Sequence, residues 1–87
     1  MLLHLGQLTV VRMDTVLGIY DLDNTTVSRH TRDYLSRATK EGRVVNVSME
    51  LPKSFVVCLE DGKETVYISQ LASSTLFRRL EAGNTTI

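Results

Sequence analysis

The chain has 87 residues, ten basic and ten acidic side chains, and no formal net charge. It is 43% hydrophobic and 23% charged, with one Cys, one Pro and no Trp. These values exclude a disulfide-stapled or zinc-held mini-domain, a disordered tract and a membrane-spanning helix. What remains is one small domain that buries only about 60–65% of its unfolded surface and so needs tight packing or self-association.

Met1-Leu2-Leu3-His4-Leu5-Gly6 lacks the basic start of a secretion signal, so the expected compartment is the cytoplasm. Leu2 to Leu5 and Leu8 to Val11 predict a hairpin around Gly6-Gln7, with Gly at the first position of a type II′ turn. That register puts Leu3, Leu5, Leu8 and Val10 on one face and sets His4 opposite Thr9. Val16 to Leu22 follows as a third strand, with Gly18 marking a bulge or close approach.

Residues 27–41 predict a helix capped by Thr25 or Thr26 and stopped at Gly42. At 100° per residue, Val27, Thr31, Tyr34, Leu35 and Ala38 form its apolar stripe, opposite Arg29, Arg32, Ser36 and Lys40. Arg43 to Val47 is a fourth strand. Phe55 to Glu60 and Lys63 to Ser69 form a second hairpin across Asp61-Gly62, a type I′ signal. Ser73 or Ser74 caps a short helix through Leu80, and residues 81–87 are expected to be a flexible tail. The expected fold is α+β, a mostly antiparallel sheet with one long and one short helix in the order β-β-β-α-β-β-β-α, with residues 1–80 as a single domain.

The second hairpin is apolar on both sides. Phe55, Val57, Leu59, Val66 and Ile68 share one face, and Val56, Cys58 and Tyr67 share the other. Two helices, one of them short, leave part of that surface to be covered by a second subunit.

The sequence shows no catalytic constellation. Cys58 stands between Val57 and Leu59 without a basic neighbour, which suits a buried apolar residue and not a reactive thiol. His4 and His30 are isolated imidazoles without carboxylates at ligand spacing, so neither a metal nor another cofactor is expected. Asp23-Asn24-Thr25 has turn and cap chemistry. Phosphate-loop, Gly-x-Ser-x-Gly and Cys-x-x-Cys motifs are absent from the sequence.

Charge is unevenly placed. Residues 26–43 hold five cations against Asp33 and Glu41, a net of +3, while residues 1–25 and 44–70 each sum to −2. Arg29, Arg32 and Lys40 on the outer helix face suit phosphate. Arg29–Asp33, Asp33–Arg37 and Arg37–Glu41 equally suit a ladder of i,i+4 ion pairs on a solvated face.

Several stretches together carry a resemblance. They are Leu3-His4-Leu5-Gly6, Thr31-Arg32-Asp33-Tyr34-Leu35, Gly42-Arg43-Val44-Val45, Leu51-Pro52-Lys53-Ser54-Phe55-Val56-Val57, Val66-Tyr67-Ile68-Ser69, and Ser73-Ser74-Thr75-Leu76 with Arg78-Arg79. In this order and spacing the chain resembles the bacterial extracellular matrix regulators RemA and RemB, most of all the RemB (YaaB-like) branch. The resemblance implies a non-enzymatic, cytoplasmic regulator of biofilm matrix genes, a homo-oligomer in the manner of ring-forming RemA-type proteins, binding double-stranded DNA. The RemA branch has an arginine-rich turn ahead of the strand matching Phe55–Glu60. Here the turn is Glu50-Leu51-Pro52-Lys53, and Lys53 alone keeps its charge. The expected DNA contacts are Lys53, Arg43, Arg29 and Arg32. The alternative is an oligomeric protein-interaction module that modulates a partner regulator without touching DNA.

Overall fold

Asp61 and Gly62 adopt φ of 51° and 76°, the two left-handed positions that a type I′ turn demands. They join β5 (Ser54–Glu60) to β6 (Lys63–Ser69) in unbroken antiparallel register, from Ser54↔Ser69 to Glu60↔Lys63. The computed structural model describes residues 1–22 and 28–85, with side chains through Ala82.

β3 (Val16–Asp21) pairs antiparallel with β5, and β4 (Val44–Asn46) pairs parallel with β6. The sheet order is β3-β5-β6-β4. β1 (Leu2–Gly6) and β2 (Thr9–Arg12) form a separate two-stranded sheet. With α1 (Arg29–Lys40) and α2 (Ser73–Thr85), the chain is α+β in the expected order, with one 3-10 turn at Met13–Thr15.

Both faces of the β5–β6 hairpin are indeed apolar, with the residues divided as the period of two predicts. Most of the cover comes from within the chain, while Leu59 on the Phe55 side stays 46% exposed. Tyr34, Leu35 and Ala38 of α1 pack on Phe55, Val57 and Val66. Leu3, Leu5 and Val11 of the first hairpin and Leu76 of α2 pack on Val56 and Cys58. The first hairpin is a layer over the main sheet and not part of it, which supplies the missing cover.

The register of that hairpin differs from the sequence reading. Leu3 opposes Val11 and His4 opposes Val10, and a bulge precedes the Gly6↔Thr9 pair. The extra residue sends Val11 inward with Leu3 and Leu5, while Leu8 at the tip is 97% exposed. His4 is therefore exposed and does not face Thr9. Gly6 has φ 116°, a conformation that strains any residue with a side chain, which suits glycine to this corner. The second bulge falls between Val16 and Gly18, as Gly18 suggested.

Helix ends also shift. Ser28 caps α1, its Oγ accepting from the Thr31 amide at 3.1 Å. Thr25, Thr26 and Val27 lie outside the described residues. At α2 the amides of Thr75 and Leu76 donate to the Ala72 carbonyl, so the cap position is Ala72 and not Ser73 or Ser74. The helix runs on to Thr85, past the Leu80 limit, and takes in most of the segment expected as a tail.

Two buried serines tie the layers together. Ser69 Oγ donates to the Leu5 carbonyl at 2.6 Å and accepts from the Leu71 amide at 3.0 Å. Ser54 Oγ donates to the Leu71 carbonyl at 2.7 Å.

Tyr67 donates to Glu60 Oε1 at 2.8 Å. Burial first, then this bond, pushes its phenol up to about 12. An unfolded tyrosine ionises near 10, so the contribution to stability is complete below pH ~10. It is lost as pH rises toward 12. Tyr67→Phe is expected to flatten the alkaline loss in this window, read as urea midpoints at pH 9, 10 and 11. Equal losses in parent and variant would remove Tyr67 as the cause.

Candidate nucleic-acid interface

α1 presents its cations outward because its inner stripe is fixed on the sheet. With Tyr34, Leu35 and Ala38 inward, 100° steps turn Arg29, Ser36 and Lys40 to the opposite side, with Arg32 and Arg37 on its flanks. All five are exposed. From Arg29 to Lys40 the helix extends about 17 Å at 1.5 Å per residue.

The ladder of ion pairs allowed by the spacing is mostly unmade. Arg29 Nε stands 3.9 Å from Asp33 Oδ2, at the outer limit of a salt bridge. Glu41, the expected partner of Arg37, turns instead to Arg43 at 2.7 Å. Among the described residues, Arg32, Arg37 and Lys40 have no ion-pair partner. α1 itself carries four cations and Asp33, a net of +3. Exposed pairs of this kind contribute little in any case, so the one that forms does not quench the face.

Lys53 has a pinned backbone and an exposed side chain. Its amide donates to the Ser69 carbonyl at 2.9 Å and its carbonyl accepts from the Leu22 amide at 2.8 Å. Lys53 thus lies at the end of the sheet where β3 finishes.

Arg43 is at the other end. The register places it level with Thr65 and Lys53 level with Gln70. Five residues of β6 separate the two levels, about 17 Å along the strand. Arg43 is also engaged. It donates through Nε to Glu41 at 2.8 Å and through NH1 to the Glu64 carbonyl at 2.9 Å. Its guanidinium lies 5.8 Å from the centre of the Tyr34 ring, and its side chain is 22% exposed. Hydrogen bonding, to Glu41 first and then Tyr34, raises its pKa further. Arg43 joins the C-terminal end of α1 to β6, and a phosphate would have to displace Glu41 to reach it. Of the four expected contacts, Lys53, Arg29 and Arg32 have exposed side chains, while Arg43 is engaged by Glu41 and the Glu64 carbonyl at the opposite end of the sheet from Lys53.

Arg37 joins Lys40 on the open face, though its spacing had assigned it to ion pairs. Glu41 pairs with Arg43, two residues on, and Asp33 stands nearer Arg29, which leaves Arg37 outside both expected pairs. Arg79 is tethered, its NH1 donating to the His4 carbonyl at 3.0 Å, and Arg78 is exposed. Cys58 is buried, and burial raises its thiol pKa above an opposing Thr15 hydrogen bond. Arg12 pairs with Asp14 at 2.6 Å on the surface. Among the described residues no helix is long and apolar enough to cross a membrane.

The chain matches no protein-family model and no curated protein.

Proposed function

We propose that this protein is a non-enzymatic bacterial regulator of matrix genes that binds double-stranded DNA as a homo-oligomer, through phosphate contacts. The observation that carries the reading is the outer face of α1, where Arg32, Arg37 and Lys40 point to solvent unpaired and Arg29 is only loosely held. Lys53 adds an exposed cation at the end of the sheet where β3 finishes. The resemblance to the RemA/RemB regulators supports the same reading, and so does repetition. A few phosphate contacts per subunit bind weakly, and copies arrayed along one duplex add their contacts. Such contacts fix position on the backbone without reading bases.

Three phosphate contacts per subunit predict a fall in affinity of about 40-fold per engaged subunit between 50 and 200 mM salt. Fluorescence anisotropy of a labelled duplex of about three helical turns reads this directly. Lys53→Glu and Arg32→Glu are each expected to weaken binding and to lower the salt slope by about one contact. Affinity that stays flat with salt would sink the electrostatic mechanism.

A second reading, an oligomeric interaction module that leaves DNA alone, is favoured by a separate apolar surface. Leu8 at the first hairpin's tip and Met49 after β4 line one open cavity and are 97% and 100% exposed. Stable oligomers with no duplex affinity at 50 mM salt would select it.

A further inference from the structure

α1 packs chiefly over β4 and β6, with Tyr34 and Leu35 reaching Phe55 and Val57 of β5, and a space remains between its flank and β3. A groove of about 330 Å³ results. Its floor is Phe55 and Val57. One wall is Leu17, the bulged residue of β3, with Tyr20, and both are half-exposed. The opposite wall is the flank of α1 with Tyr34, and Glu64 from β6 adds a carboxylate.

Three of the chain's five Phe and Tyr side chains meet here. The Tyr20 ring stacks on Phe55 with centroids 4.9 Å apart and 20° between planes. Tyr34 donates to Glu64 Oε1 at 2.6 Å, which occupies one carboxylate oxygen and steadies the group. Arg43 bonds the backbone carbonyl of Glu64 and not its carboxylate. Among the described residues no cation pairs with that carboxylate. The groove thus combines aromatic ring surfaces, which attract cations, with the Glu64 carboxylate, beside an Arg43 guanidinium that lies 5.8 Å from the Tyr34 ring centre without reaching that carboxylate.

We propose that this groove binds a small organic cation with an apolar body, its ammonium directed to Glu64 and its body held against Tyr20, Tyr34 and Phe55. An anion of the same shape meets the Glu64 charge unfavourably. A neutral analogue keeps the ring contacts and loses the ionic one. The residues that line the groove are not those proposed to contact phosphate, although His30 and Thr31 of its α1 wall stand between Arg29 and Arg32.

The test uses three probes that differ only in the end group: phenethylamine, 2-phenylethanol and phenylacetate. Each is titrated at pH 8 into the ¹⁵N-labelled protein and followed by amide NMR shifts. Phenethylamine is expected to give saturable shifts at Leu17, Tyr20, Tyr34 and Glu64, and to bind roughly tenfold more tightly than phenylacetate. Glu64→Gln can still accept the Tyr34 hydrogen bond at an exposed position, so it keeps the fold, and it is expected to abolish that preference. Tyr20→Leu is expected to weaken all three probes. Absent or non-saturating shifts, phenylacetate equal to phenethylamine, or an undiminished preference in Glu64→Gln would each overturn the site.

Discussion

Leu76→Ala is expected to remove about 2–5 kcal/mol of folding stability, the range for deleting a fully buried leucine. Leu76 is 0% exposed and belongs to the cluster of Leu3, Leu5, Val56 and Cys58. It is where α2 reaches the core beneath it. Those neighbours belong to β1 and β5, and a cavity formed there cannot close by moving one side chain. A domain of this length holds roughly 4–13 kcal/mol in all, so the loss is a large share. Phe77, the next residue of α2, is 46% exposed. Phe77→Ala is expected to cost under about 1 kcal/mol. Urea unfolding followed by circular dichroism measures both. Similar losses for the two variants would mean that α2 is not packed through Leu76.

Ser69→Ala is expected to cost about 1–3 kcal/mol, because it strands buried backbone groups and not because it removes volume. The hydroxyl supplies a donor to the Leu5 carbonyl and an acceptor to the Leu71 amide, joining chain segments 64 residues apart. Alanine fits the space and satisfies neither group. Urea midpoints measure the loss, and hydrogen exchange at the Leu71 amide gives a local readout. Exchange there is expected to speed up more than at Val66, in the middle of β6. A neutral substitution with unchanged Leu71 protection would show that the serine does not link the layers.

Local rules account for much of what was legible. Asp61-Gly62 specifies its own turn, because two consecutive left-handed residues are cheap there and costly almost anywhere else. The period of two then places Phe55 and Val57 opposite Val56 and Cys58 with no further information. The spacing of Tyr34, Leu35 and Ala38 places the inner stripe of α1 and, by exclusion, its cationic outer face. Gly42 follows α1 with φ 72°, as a residue just past a helix end should.

The candidate interface was legible only in part. Arg29 and Arg32 could be named from the helical period, which sets them opposite the apolar stripe, and Lys53 from the basic turn of the family the chain resembles. Arg43 looked identical to them. Its role depends on Glu41, Glu64 and Tyr34, of which two are over twenty positions from it or on another element. Spacing offered Glu41 to Arg37, and the fold gave it to Arg43. Such competition between partners is decided by which side chains arrive together, and spacing along one helix carries no term for it.

The sequence by itself determined the strands and helices, their order, the two apolar sides of the second hairpin and the place where positive charge gathers. These follow from interactions within a few residues, namely turn conformation, capping and periodic burial. Only the tertiary structure decided the β-bulge that turns Val11 inward and Leu8 out, and the folding of the first hairpin over the main sheet instead of into it. It also set the serine links at Ser54 and Ser69, the engagement of Arg43 and the aromatic groove beside Glu64. Each of these depends on contacts between distant segments, where a shift of one residue reverses which side chains are buried.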